Sequence, residues 1–251
     1  MAGHSKWAQI KRQKGVADAR RGALFTKLSR EITVAAKQGG PDPEANFRLR
    51  LAVQRAREAN MPAENIERAI KRAVGGGTGE GGELQEVVYE GYGPHGVAIL
   101  VECLTDNRNR TVSEVRSVFT RGGGSLGETG SVAWQFDSRG VITVETDGRD
   151  PDEVSLAAID AGAEDVNVSG TTVEVYTAPA DLEAVRKALL DAGYRVTSAE
   201  LSMVPKTTVH LEGAQAEQVL RLLDRLEDLD DVQRVYSNAD FAEETLAAYS
   251  A

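Results

Sequence analysis

The chain has 251 residues, of which 41% are hydrophobic and 27% charged, and a formal charge of −10. That length holds one large domain or two to three small ones with ordinary globular cores. No apolar run approaches the roughly 20 residues of a bilayer span, no apolar signal segment opens the sequence, and the single cysteine, Cys103, cannot close an internal disulfide, so the composition predicts a cytoplasmic protein.

Residues 1–24 show little apolar periodicity and predict an extended or partly disordered arm. Phe25, Leu28 and Ile32 then recur at helical spacing, predicting a helix over 26–37 that Gly39-Gly40 stops. Asp42-Pro43-Glu44 has the form of an N-cap with a first-turn proline, opening a second helix through Phe47, Leu51 and Ala56 to Asn60. Met61-Pro62 starts a third, with Ile66, Ala69, Ile70 and Ala73 on one side and Gly75 at its C-cap. Six glycines in residues 75–82 make a flexible linker.

Beyond the linker the period shifts to that of strands, at 87–92 and 97–103. Asp106-Asn107 can cap a helix with Val112, Val115 and Phe119 inward, ended by Gly122-Gly123-Gly124, and 131–136 returns as a strand. An internal repeat follows at an offset of 31 residues, aligning 141–144 with 172–175 and Ile159-Asp160-Ala161-Gly162 with Leu190-Asp191-Ala192-Gly193. Each copy reads strand, helix, strand, and Ser169-Gly170 marks a hairpin between them, which together predict a ferredoxin-like sandwich. A strand at 207–211, an acidic helix at 214–229 and a strand at 232–236 need a partner to bury their faces, and the unfinished unit at 83–138 offers one. The predicted class is α+β and multi-domain: a basic arm and three-helix domain at 1–74, the linker at 75–82, a discontinuous α/β domain formed by 83–138 with 206–240, and a ferredoxin-like domain inserted at 139–205.

Charge divides along the same boundary. Residues 1–74 hold six lysines and ten arginines against two aspartates and five glutamates, a formal +9, and the rest of the chain carries −19. Such asymmetry points to a polyanion for the basic part. In the arm, Lys6, Lys11, Arg12, Lys14, Arg20, Arg21, Lys27 and Arg30 surround Trp7 with Asp18 as the sole acid; cations neutralise phosphates and an indole stacks on unpaired bases. A solvated basic tail is the alternative. Arg48 and Arg55 lie two helical turns apart, and Arg68, Lys71 and Arg72 extend the positive surface. Arg108 and Arg110 stand at a predicted helix start, where free amides and guanidinium groups can hold phosphate, with a plain capping turn as the competing account. The acidic helix repels nucleic acid, so it is expected to face away or to bind a protein.

Enzymatic chemistry finds little support. His4, His95 and His210 are scattered, and no zinc-type spacing occurs. Gly123-Gly124-Ser125-Leu126-Gly127 fits a nucleophile elbow, and Gly122, Gly124 and Gly127 fit a dinucleotide fingerprint, but a helix precedes them and a strand follows, the reverse of what either needs. No catalytic residue, metal or cofactor is predicted.

Six separated motifs resemble the YebC/PmpR family, which also contains the mitochondrial translational activator of cytochrome oxidase subunit one. They are Ala2-Gly3-His4-Ser5-Lys6-Trp7, Phe25-Thr26-Lys27-Leu28 with Arg30-Glu31-Ile32, Asn60-Met61-Pro62, Asn65-Ile66 with Arg68-Ala69-Ile70-Lys71, Tyr89-Glu90-Gly91-Tyr92-Gly93-Pro94, and Leu104-Thr105-Asp106-Asn107-Arg108-Asn109-Arg110-Thr111. Ala23 and Ala63 stand where members commonly carry lysine, and His95 where glycine is usual. The resemblance implies a helical domain followed by two α/β domains, and a DNA-binding transcriptional regulator or a translation factor at the ribosome. The partners expected are therefore DNA, or ribosomal or transfer RNA, with the ribosome or a protein as a further partner of the acidic domains, and no membrane.

Overall fold

Leu28 and Ile32 are buried on one side of a long first helix, α1 (Asp18–Gly39). In this computed structural model residues 18–75 and 83–250 are described, and the linker residues 76–82 and the arm residues 1–17 lie outside them. Helix α1 begins eight residues before the predicted start, which corrects the extended reading of 18–24. The helix formers Ala19, Arg20, Arg21 and Ala23 carry it there without a full apolar stripe, and Leu24 and Phe25 pack against the helical core.

The second helix, α2 (Phe47–Glu58), also departs from expectation at its start. Asn46, not Asp42, is the N-cap: its side-chain oxygen accepts from the Leu49 amide at 3.1 Å. Its amide nitrogen donates to the carbonyls of Ala35 and Gly40, both at 2.8 Å, tying the end of α1 to the start of α2. Asp42 caps a separate turn by accepting from the Glu44 amide. At Gly39 a Cβ would come within 2.6 Å of the Asn46 side chain, so this glycine makes room for the tie. Asn60 follows α2 with φ 58°, a left-handed conformation that asparagine tolerates better than most residues, and α3 (Ala63–Val74) begins after Pro62. Leu28, Ile32, Leu49, Val53, Ala56, Met61, Ile66 and Ala69 form the shared core.

The α/β part of the same compact unit contains the strands β1 (Gln85–Tyr92), β2 (Ala98–Thr105), β3 (Ser125–Leu126) and β9 (Val232–Ser237), which form one sheet in the order β3-β1-β2-β9. Its pairs are antiparallel, with Tyr89 opposite Val101 and Val101 opposite Val235. Helices α4 (Arg108–Arg121) and α7 (Gly213–Glu227) cover one face, burying Ile99, Val101 and Cys103 of β2 against Val115, Phe119, Leu220 and Leu223. On α4 the inward residues are Thr111, Val115 and Phe119, so Thr111 takes the place predicted for Val112. The strand predicted at 207–211 forms as β8 (Val209–Leu211), paired in parallel with β10 (Ala239–Phe241); β10 and a last helix, α8 (Glu243–Ser250), extend the fold beyond the predicted elements.

Residues 135–208 form the second compact unit. Its strands are β4 (Phe136–Glu145), β5 (Asp165–Ser169), β6 (Thr172–Thr177) and β7 (Arg195–Pro205), in the antiparallel order β5-β6-β4-β7 of a ferredoxin-like sheet, with α5 (Pro151–Asp160) and α6 (Leu182–Asp191) as its two helices. Gly162 and Gly193, at φ 104° and 79°, end the two repeat helices in the left-handed region that glycine enters without a steric penalty. The strand predicted at 131–136 is absent; Ala133–Gln135 is a 3₁₀ turn and β4 starts at Phe136. No described helix is long and apolar enough to cross a membrane.

Candidate nucleic-acid interface

The basic residues singled out from the sequence fall into two groups. Lys6, Trp7, Lys11, Arg12 and Lys14 lie outside the described residues. Arg20 lies in the first turn of α1 and Arg21 is exposed one residue on. Arg68, Lys71 and Arg72 are exposed on α3, where a 3.4 Å contact from Arg68 to Asn65 and a 3.8 Å pair between Lys71 and Glu67 are weak restraints. Arg108 is exposed at the start of α4.

The second group is engaged within the protein. Lys27 donates to the carbonyl of Glu227, at the C-terminal end of α7, where the helix dipole favours a cation. Arg48 pairs with Glu86 of β1. Arg55 of α2 and Arg234 of β9 both grip Glu31 of α1, at 2.9 and 2.7 Å. The C-terminal end of the acidic helix thus receives α1 through Lys27.

Asp231 is the centre of this junction. It is 2% exposed. Arg30 reaches one carboxylate oxygen at 3.0 Å, and Arg110 the other at 2.7 Å. That second oxygen also accepts from Thr111 at 2.7 Å and Thr105 at 3.2 Å. Burial pushes the Asp231 carboxyl up, but hydrogen bonds from Arg110 and Thr111 and the charges of Arg110 and Arg30 outweigh it, so it titrates below the ordinary aspartate range. At the start of α4 the side chain of Asn107 already accepts from the Arg110 amide at 3.1 Å. Arg110 is held by Asp231 and by Asp106, the latter at 2.9 Å. The phosphate cradle anticipated at 106–110 is thus partly filled by the chain's own carboxylates: Arg110, though exposed, is paired, and Arg108 makes no ion pair among the described residues.

The family model of the TACO1/YebC N-terminal domain matches residues 5–76, and that of the TACO1/YebC second and third domains matches 84–239. The chain belongs to the TACO1/YebC family. A probable transcriptional regulatory protein of Dehalococcoides mccartyi is 60% identical over 249 residues, covering 99% of this chain and 98% of that protein. One of Thermomicrobium roseum is 57% identical and covers 99% of this chain and all of its own length. The crystal structure of a conserved hypothetical protein of Aquifex aeolicus superposes with a TM-score of 0.81 at 47% identity, covering 90% of this chain and 93% of that one.

Motifs through which the sequence resembles the TACO1/YebC family include these junction residues. Lys27, Arg30 and Glu31 supply the α1 side, and Thr105 to Thr111 supply the ligands of Asp231. Glu90, in the Tyr89–Pro94 motif, is a buried clamp that accepts from the amides of Gly130, Val132 and Ala133 at 2.6, 2.8 and 2.8 Å. Burial pushes its carboxyl up, and these three bonds more than reverse the effect. His95 adopts φ 62°, the left-handed region that glycine enters without a steric penalty.

Sequence reasoning misses Asp231, Glu31, Arg234 and Glu90 as organising residues. Their partners lie 24 to 203 positions away; Glu31 and Glu90 fall inside family motifs, but nothing local marks the pairing that any of the four makes. Cys103 is buried, and burial, with the charge of Asp231, pushes its thiol up to about 12, so it is no nucleophile at neutral pH. Ser125 sits on the short edge strand β3, after a helix rather than before one. Among the described residues no group of three or more histidine, cysteine or acidic side chains is disposed to hold a metal ion.

Proposed function

We propose that the protein is a non-enzymatic regulator of gene expression that binds DNA through its basic N-terminal segment. The observation that carries this reading is the division of charge, +9 in residues 1–74 within a chain of net −10. Several of those cations are consumed in joining α1 and α2 to the α/β part, and the binding charge is assigned to Lys6, Lys11, Arg12, Lys14 and Arg20 and to Arg68, Lys71 and Arg72 on α3. The name carried by the relatives, probable transcriptional regulatory protein, agrees with this role. The acidic surface elsewhere limits non-specific adhesion to phosphate.

A second reading, RNA at the ribosome, is favoured by one feature: Trp7 among the arm cations suits stacking on an unpaired base better than contact with a duplex. Crosslinking in living cells followed by sequencing of the bound nucleic acid separates the two. Recovery of defined DNA regions supports the proposal. Recovery of ribosomal or transfer RNA alone overturns its DNA part.

A further inference from the structure

The glycine run that fits no enzyme motif has a structural purpose that exposes a second cationic site. Helix α4 ends at Arg121, and a Cβ at Gly122 would lie 2.7 Å from Leu222, one at Gly123 2.9 Å from Gln218. Only glycine lets the end of α4 settle directly on α7. The packing forms a shallow cleft of about 290 Å³ flanked by Arg121 from α4 and by Arg221 and Arg225 from α7. Arg221 is balanced by Glu217 at 2.9 Å. Arg121 and Arg225 are exposed and make no ion pair among the described residues.

We propose that this cleft is a phosphate-binding extension of the nucleic-acid surface, formed by Arg121, Arg221 and Arg225 on the otherwise acidic α/β part. The proposal rests on the nucleic-acid reading above. Planar guanidinium groups suit phosphate oxygens. A protein partner would need an apolar anchor, and the one large apolar side chain in the lining, Leu222, is itself fully buried. The position also fits: Arg225 precedes by two residues Glu227, whose carbonyl receives Lys27 of α1. Six residues of helix, from 221 to 227, span about 9 Å, so the cleft begins close to where the basic segment docks.

The test uses the full chain and R121Q/R225Q, titrated with duplex DNA, with structured RNA and with poly-glutamate over a salt series. For whichever nucleic acid the wild type binds, the double variant is expected to lose about tenfold in affinity and to lower the salt slope by about 2, one unit per phosphate contact. R121K/R225K should recover most of the slope, and an unchanged thermal midpoint verifies folding. Unchanged affinity and slope in R121Q/R225Q, with binding lost when the arm lysines are neutralised, overturn the cleft and leave the arm reading standing. If the wild type binds neither nucleic acid, the arm reading falls and the cleft with it. Loss of poly-glutamate binding alone overturns the proposal in favour of an acidic protein.

Discussion

Arg30 of α1 lies 3.0 Å from Asp231, a carboxylate 201 positions away that Arg110 also holds at 2.7 Å. A residue chosen from the sequence as a phosphate contact is thus part of the joint between the helical and α/β parts. The same joint uses Lys27, Arg55 and Glu31, so part of the charge of the basic segment serves internal structure.

Asp231→Ala should destabilise the protein by about 1–3 kcal/mol, the range for buried hydrogen-bonding groups left unsatisfied, because it strips the buried Thr105 and Thr111 hydroxyls, and the more exposed Arg30 and Arg110, of their shared acceptor. Chemical denaturation of the two proteins measures it. Since the folded carboxyl titrates below its unfolded value, its stabilisation is fully present above about pH 4 and is lost as pH falls through the lower folded value. The wild type should therefore lose stability on acidification more steeply than Asp231→Ala; parallel pH profiles would contradict this.

Glu90→Gln leaves one oxygen for the Val132 and Ala133 amides and turns a donor toward that of Gly130, weakening the clamp. The expected cost is about 1–3 kcal/mol, with faster amide hydrogen exchange at Gly130, Val132 and Ala133. Exchange unchanged at those three amides would show that another group fixes the loop.

At His95 the backbone is left-handed and the imidazole's contact is an exposed 3.1 Å bond to Gln218. His95→Gly should accordingly leave stability unchanged or raise it by up to about 1 kcal/mol, relief of the left-handed strain offsetting the freer unfolded chain. Thermal melts of the two proteins decide it, and a clear loss would assign the histidine a packing role.

Much of the architecture is readable along the chain because its causes are local. Leu28 and Ile32 repeat at helical spacing, and the 31-residue offset carries both strand and glycine stop in each ferredoxin-like half. The start of α1 escapes such reading because it rests on helix propensity rather than an apolar stripe. The cap of α2 is ambiguous in sequence because Asp42 and Asn46 are equally good local caps, and only the fit of Asn46 against Gly39 and the Ala35 carbonyl separates them. The candidate site is legible as charge but not as pairing. Whether Arg30 or Arg110 faces phosphate or Asp231 depends on contacts spanning more than a hundred residues.

On the proposed reading the arm cations, rather than those of the α1 junction, bind nucleic acid. Measuring log Kobs against log salt on duplex DNA for the full chain and for the variant with Lys6, Lys11, Arg12 and Lys14 all changed to Gln tests it most directly. The expected slope is smaller by about 3 to 4, with a large loss of affinity at unchanged thermal stability. Superimposable lines for the two proteins would contradict it.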